Sequence, residues 1–201
     1  MKWHKYFALC GICAPIFFTI LILILGLTAP EYNYTSQFIS ELGEQGSDFE
    51  NIISISLIIY GIFIFFFGIG LFKKMKNKKI AWTIPVLISL FALFAVIGSG
   101  FFPCDQACEL RNSTGKTHKI LNVIGFTALT FVPIATYLSI KNDPNWKRLK
   151  TFSFIIQIVG LAAFIIFIIE IKPFIGLFQR MHLGIYYIWI EVMAIRLLLL
   201  K

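Results

Sequence analysis

The chain has 201 residues, of which 58% are hydrophobic and 14% are charged, and its formal net charge at pH 7 is +8. Soluble globular domains contain roughly 45–50% apolar and about 25% charged residues. The composition therefore excludes a disordered protein, a soluble enzyme and a coiled coil, and the 22 phenylalanines suit a surface that faces lipid.

The first apolar stretch, Phe7–Ala29, follows a short basic segment and could be mistaken for a signal peptide. A secretory signal has an apolar core of about 7–15 residues, and this stretch is longer. Leu27-Thr28-Ala29 is also a poor cleavage site. The sequence favours a retained first membrane span over a cleaved signal.

Five further stretches are long and apolar enough to cross a membrane, which takes about 20 mostly apolar residues. They are Ile52–Phe72, Ile80–Phe102, His118–Ile140, Phe152–Ile171 and Phe178–Leu200. Transmembrane β-strands are about ten residues long and alternate in polarity, whereas these stretches are apolar throughout. The sequence predicts an all-α protein: a compact bundle of six transmembrane helices that forms a single membrane domain over residues 1–201.

The 18 lysines and arginines, counted with the ends of the stretches, are distributed unequally between the two predicted sides. Thirteen belong to the side of the two termini and of the loops Lys73–Lys79 and Lys141–Lys150, and five belong to the other side. Because basic loops stay in the cytoplasm, the pattern predicts a multi-pass protein of the cell membrane with both termini cytoplasmic. The asymmetry explains the positive charge, so we expect no nucleic-acid partner; attraction of anionic lipid headgroups is a further role open to Lys73–Lys79.

The first predicted outer loop is polar and acidic, and it is longer than most connections between helices. Phe38, Ile39 and Leu42 recur at helical spacing within it, which predicts a short interfacial helix. Ser40 and Glu41 would then face inward as candidate catalytic residues. The alternative is a capping serine and a solvated glutamate.

The second predicted outer loop carries Cys104 and Cys108 on either side of Asp105. On the oxidising side of a membrane such a pair favours a disulfide, which would hold Asp105 in a fixed turn. Zinc bound by the two cysteines and His118 is an alternative, but structural zinc usually takes four ligands and the second ligand pair is absent. We therefore expect no metal, while a free thiol pair stays open in a reducing compartment.

Several charged or titratable side chains are predicted to reach the outer interface at one depth. They are Glu41, Asp105, His118, Arg180 and His182. A carboxylate, a histidine and an arginine placed together could bind a phosphate headgroup or perform acid–base chemistry on a lipid. The alternative is interfacial anchoring, in which Arg and His extend their polar ends to water.

Glu191 falls near the middle of the sixth span, where an ionised carboxylate is costly and usually faces the bundle interior. It is a candidate ligand or proton site. The alternative is a protonated glutamate that is hydrogen-bonded to another span through Tyr60, Asn122 or Gln157.

Four short motifs occur in a fixed order: Ile39–Gly43, Phe102–Asp105, Gly115 with His118, and Gln179-Arg180. In this combination the chain resembles the prokaryotic membrane family known as domain of unknown function 998, over almost its whole length. It resembles the DRAM-like six-span proteins more distantly. The first resemblance implies a six-span fold and motif residues at Ser40, Glu41, Asp105, His118 and Arg180, but no activity. The second implies a role in membrane homeostasis or lipid biology.

Together these features predict an integral membrane protein that binds or senses membrane lipids at its outward face, without a cofactor. One alternative is a lipid-modifying hydrolase or transferase, in which Ser40 or a water attacks, His118 is the base, and Asp105 or Glu41 orients it. Another is a small transporter that uses Glu191. The sequence leaves protein partners open.

Overall fold

The computed structural model describes residues 3–200, and the regular secondary structure within that range is helical. Six helices are long and apolar enough to cross a bilayer, which confirms the predicted six-helix architecture of a multi-pass membrane protein. They are α1 (Trp3–Thr28), α2 (Glu50–Lys74), α3 (Lys78–Phe101), α4 (Ser113–Ile140), α5 (Lys150–Ile168) and α6 (Ile175–Leu199). The observed helices extend the predicted spans at several ends, so His118 lies in the second turn of α4 rather than at its start.

Consecutive helices pack side by side, and α6 returns to pack against α1, so the six helices form a closed ring. Large aromatic side chains fill the centre of this ring, where Tyr60, Phe67, Phe91, Tyr186 and Trp189 are almost completely buried. Such residues bury more apolar surface than any other side chains and dominate the packing energy of a core. The exposed side chains of all six helices are mainly Ile, Leu and Phe, as a lipid-facing surface requires.

The two neighbours of α4 pack against it differently. On the α3 side, Gly125 lies so close to the helix backbone that a Cβ there would be 2.6 Å from the amide nitrogen of Ala95. α3 includes a π-helical segment, Phe91–Gly98, over this contact. On the other side, α5 is peripheral, and many of its apolar side chains, such as Ile155, Ile158 and Ile165, are exposed. A cavity, described below, lies between α4 and α5.

The two ends of the ring differ in their loops. The lysine-rich end comprises residues 75–77 and 141–149 and the ends of α1 and α6. Here the buried carboxylate of Asp143 accepts the backbone N–H groups of Lys76 (3.1 Å) and Asn145 (3.0 Å), and the indole of Trp146 donates to the Lys74 carbonyl (3.2 Å). The long-loop end comprises residues 29–49, 102–112 and 169–174, and it carries the motif residues.

Candidate functional site

A single 3₁₀ turn, Ile39–Gly43, stands where the sequence predicts a short interfacial helix in the first long loop. Two residues near the start of α6 form hydrogen bonds with this loop. The side-chain oxygen of Gln179 accepts the backbone N–H of Ile39 at 2.7 Å, in a buried position. The backbone N–H of Leu177 donates to the Thr35 carbonyl at 2.9 Å, so the loop is fixed to the start of α6.

Arg180 is surrounded by acceptors from the same loop. Its Nη1 donates to the carbonyls of Tyr34 (2.8 Å) and Gln37 (3.0 Å), and its Nη2 donates to the hydroxyl of Tyr32. That hydroxyl in turn donates to the Phe38 carbonyl at 2.8 Å. Burial raises the pKa of Tyr32 to about 12 although the Arg180 charge lowers it, so the phenol stays a neutral donor. The guanidinium is therefore used in holding the loop.

Glu41 caps the 3₁₀ turn from within. Its carboxylate accepts the backbone N–H of Phe38 (2.7 Å) and the side-chain amide of Gln37 (3.1 Å). A glutamate reaching back to the residue that precedes a helical turn is one half of a capping box. Burial raises the pKa of Glu41, and these two hydrogen bonds oppose the rise. Glu41 itself therefore caps the turn, whereas the alternative drawn from the sequence is a capping Ser40 with a solvated Glu41.

Asp105 organises the second long loop. Its carboxylate accepts the backbone N–H groups of Leu110 (3.0 Å), Arg111 and Asn112 (3.1 Å). Burial alone would raise the pKa of Asp105, but these hydrogen bonds outweigh it and hold the pKa below its ordinary value. The carboxylate also packs on Gly115, where a Cβ would lie 2.6 Å from the Asp105 Cγ. Glycine is therefore required at this position of α4.

The sulfur atoms of Cys104 and Cys108 are at bonding distance, as the sequence predicts for a disulfide. The Ser40 hydroxyl donates to the Cys108 sulfur at 3.4 Å, because a disulfide sulfur carries no hydrogen. With both thiols in this bond, they are not available as zinc ligands. The described residues contain no group of three or more His, Cys, Asp or Glu side chains that could hold a metal ion.

The two long loops are joined by a further set of hydrogen bonds. Gln45 donates from its backbone to the Cys104 carbonyl and from its side chain to the Pro103 carbonyl, both at 2.9 Å. Its side-chain oxygen accepts the amide of Asn112 at 2.9 Å. Residues 38–45 and 102–112 therefore form one hydrogen-bonded layer, which we call the roof.

His118 lies beneath the roof. Its Nδ1 is 2.8 Å from the Phe102 carbonyl, and because a carbonyl only accepts, Nδ1 carries the proton in this bond. Nε2 has no hydrogen bond to a described residue. One turn further along α4, the Asn122 side chain donates to the Ser99 hydroxyl at 2.9 Å. Neither Asp105 nor Glu41 is hydrogen-bonded to the His118 ring.

A cavity of about 650 Å³ opens between α4 and α5 below the roof, and we call it the lateral cavity. Its lining residues come from the roof, α4, α5 and the segment around α6: Phe38, Ser40, Cys104, Cys108, Leu110, Gly115, His118, Lys119, Asn122, Val123, Phe126, Thr127, Phe164, Phe167, Ile168, Glu170 and Gln179. Two of them, Val123 on α4 and Ile168 on α5, are 56% and 55% exposed and mark the mouth. Both lie on helices that are long and apolar enough to cross a membrane.

The walls of the lateral cavity change character with depth. Phe126, Phe164 and Phe167, which we call the aromatic wall, line one part of it, and Ser40, His118 and Asn122 line another. A smaller chamber of about 50 Å³ lies behind and shares Ser40, His118, Asn122, Phe126 and Gln179 with the lateral cavity. The rest of its lining is mostly apolar and includes Phe18, Leu57 and Phe91.

One ion pair crosses the mouth. The Lys119 ammonium on α4 is 2.9 Å from a carboxylate oxygen of Glu170, just beyond the end of α5. Both side chains are half exposed, and both line the lateral cavity. They bring opposite charges to the lining of the cavity at the long-loop end.

His182 lies behind the aromatic wall. It is completely buried, and its ring centroid is 5.3–5.8 Å from those of Phe126, Phe164 and Phe167. Neither ring nitrogen forms a hydrogen bond of normal geometry with a described residue. The backbone of Gly160 is a polar group next to the ring. The ring therefore serves as part of the packing and lines neither cavity.

Glu191 is half buried on α6, and its Oε1 has no hydrogen-bond partner among residues 3–200. The three side chains that the sequence suggests as hydrogen-bond partners of Glu191 contact other residues instead. Asn122 donates to Ser99, Gln157 accepts the backbone N–H of Ile134 at 3.0 Å, and Tyr60 packs on Tyr187. Glu191 lines neither cavity.

The predicted site residues thus divide into separate groups. Glu41, Asp105, His118 and Arg180 all lie at the long-loop end, but each has its own hydrogen bonds and they do not converge on one point. The sequence did not single out Lys119 and Glu170 or the aromatic wall as a site. A carboxylate directly after the apolar run Phe164–Ile169 was the available signal, because a charge that ends a span lies at the interface.

A model of the family described as "Protein of unknown function (DUF998)" matches residues 12–196 of the chain. The chain belongs to this family. The match confirms the resemblance carried by the four motifs and covers the whole roof and the whole lateral cavity. No curated protein and no solved structure matches the chain significantly. The more distant likeness to DRAM-like proteins stays a prediction.

Proposed function

We propose that this protein binds a membrane lipid in the lateral cavity, with an acyl chain against the aromatic wall and the headgroup under the roof. The observation that carries the proposal is the cavity of about 650 Å³ between α4 and α5, whose lining includes the exposed side chains of Val123 and Ile168. Small-molecule sites in proteins are concave, mostly apolar, and about 300–1,000 Å³ in volume, with a few placed polar groups. The lateral cavity has these properties.

The distribution of polar groups supports the assignment of headgroup and chain. Ser40, His118 and Asn122 lie towards the roof, where α4 begins, and Phe126 and Thr127 lie further into the span. A phospholipid has the same order, with polar groups at the interface and hydrocarbon below it. An acyl chain that moves from the bilayer into the lateral cavity exchanges one apolar environment for another, so the free-energy cost of this transfer is small.

The orientation in the membrane is part of the proposal. The lysine-rich end carries most of the basic residues, and basic loops stay in the cytoplasm. We place both termini in the cytoplasm of the cell and the roof on the outside. The lateral cavity then takes lipid from the outer leaflet, and the disulfide in the roof lies in an oxidising compartment.

Catalysis and transport have less support. A hydrolase of the expected kind needs a carboxylate that orients His118, but Asp105 and Glu41 are already bonded to backbone N–H groups. The Ser40 hydroxyl donates its hydrogen bond to the Cys108 sulfur of the disulfide. A transporter needs a polar path to Glu191, and neither cavity among the described residues reaches it.

Thr127→Trp tests the proposal, because the larger ring fills the lateral cavity from the α4 wall. Ile124→Trp is the matched control: this side chain is 39% exposed on the same helix and does not line the cavity. Each variant is purified in a mild detergent, and the retained lipids are identified by native mass spectrometry. We expect the wild type and Ile124→Trp to retain lipid and Thr127→Trp to lose it. Equal retention by all three, or none by the wild type, contradicts the proposal.

A further inference from the structure

The formal charges that line the lateral cavity are those of Lys119 and Glu170. They are opposite in sign and lie at its mouth, where the headgroup of a bound lipid would be. The mouth is therefore neutral overall but contains one fixed cation and one fixed anion. This pattern selects for the charge of a ligand as well as for its shape.

The ion pair between these two residues is easily exchanged for other partners. The Lys119 ammonium makes its hydrogen bond to Glu170 alone among the described residues, and the Glu170 carboxylate has no other side-chain partner there. Their side chains are 47% and 48% exposed. Exposed ion pairs of this kind contribute little net stability, so a ligand that offers each residue a new partner of the right charge can replace the pair at small cost.

Resting on the proposed function, we infer that the bound lipid is zwitterionic, with a phosphate that pairs with Lys119 and an ammonium that pairs with Glu170. Such a headgroup satisfies both charges at once. An anionic phospholipid satisfies Lys119 but leaves Glu170 beside a phosphate without a cation, which is repulsive. A lipid with an uncharged headgroup gives neither residue a new partner.

The test uses the full-length protein in nanodiscs that contain equal amounts of phosphatidylethanolamine, phosphatidylglycerol and diacylglycerol. The wild type, Glu170→Gln and Glu109→Gln are compared. Glu109→Gln is the matched control, because Glu109 is also half exposed, is paired with Arg111 at the same end of the molecule, and does not line the cavity. The lipids that remain bound after transfer to detergent are quantified by mass spectrometry.

We expect the wild type and Glu109→Gln to retain phosphatidylethanolamine over phosphatidylglycerol by about fivefold, a preference typical of one charge pair at a partly exposed site. We expect Glu170→Gln to lose that preference while it still retains lipid. Equal retention of the two phospholipids by the wild type, a preference for diacylglycerol, or an unchanged preference in Glu170→Gln overturns the inference and leaves the lipid site intact. If the wild type retains no lipid and matches Thr127→Trp, the proposed function itself fails.

Discussion

The side-chain oxygen of Gln179 accepts the backbone N–H of Ile39 at 2.7 Å, across 140 residues of sequence. This bond joins the first and last of the four short motifs noted in the sequence. The middle two are joined in the same way, since His118 is bonded to the Phe102 carbonyl and Asp105 packs on Gly115. The motifs are thus parts of one hydrogen-bonded unit, which builds the roof over the lateral cavity.

Arg180→Gln is expected to destabilise the protein by about 2–4 kcal/mol, because it leaves several loop carbonyls without their charged donor. Thermal or denaturant unfolding of the detergent-solubilised protein measures the loss. Arg111→Gln removes an arginine from an exposed ion pair at the same end and should change the unfolding transition little. If the two variants unfold alike, Arg180 does not hold the loop.

Asp105→Asn is expected to lower the unfolding temperature by an amount that depends on pH. The folded-state pKa of Asp105 lies below its unfolded value, so its contribution to stability is present above about pH 3.9 and is lost as the pH falls through the folded pKa. The difference between wild type and variant should therefore be largest near neutral pH and shrink in acid. Asp48→Asn, at an exposed position of the same end, is the matched control and should change the unfolding temperature little.

Alkylation of the unfolded protein should modify two cysteines without a reductant and four after reduction. The two that react first are expected to be Cys10 and Cys13, which are free, while Cys104 and Cys108 are bonded to each other. Peptide mass spectrometry assigns the sites. Four modified cysteines without reductant would show that the roof has no disulfide.

His182→Phe is expected to keep the free energy of unfolding or raise it by up to about 1 kcal/mol, because it removes two buried nitrogens that lack normal hydrogen bonds. His118→Phe is the matched comparison, and it should cost about 1–2 kcal/mol through the lost bond to the Phe102 carbonyl. Denaturant unfolding in detergent gives both values. If His182→Phe lowers the free energy of unfolding more than His118→Phe does, the His182 ring nitrogens form a stabilising polar contact.

The six spans could be predicted from the sequence because hydrocarbon requires long apolar helices, a requirement that leaves a direct trace in composition. The disulfide could also be predicted, from two neighbouring cysteines in a loop. The lateral cavity could not, because it depends on how α4 packs against its two neighbours, α3 and α5. Such packing joins residues whose proximity cannot be read from a single sequence, as with Gly125 and Ala95.

The roles of the charged motif residues were predictable only in part. Their location at one end follows from the span boundaries, as the positions of Asp105 and Arg180 show. Their function as loop anchors does not, because backbone carbonyls and N–H groups have no signature in the sequence. Within residues 3–200, Arg180 has no carboxylate partner at hydrogen-bonding distance and donates instead to the Tyr34 and Gln37 carbonyls.

Photo-crosslinking with a phospholipid that carries a diazirine in its acyl chain tests the lipid site most directly. With the protein in nanodiscs, we predict adducts concentrated on Phe126, Phe164 and Phe167 that are reduced by excess unlabelled lipid and lost in Thr127→Trp. Adducts spread evenly over lipid-facing residues such as Ile16, Ile59 and Ile195, with no effect of Thr127→Trp, would contradict lipid binding in the lateral cavity.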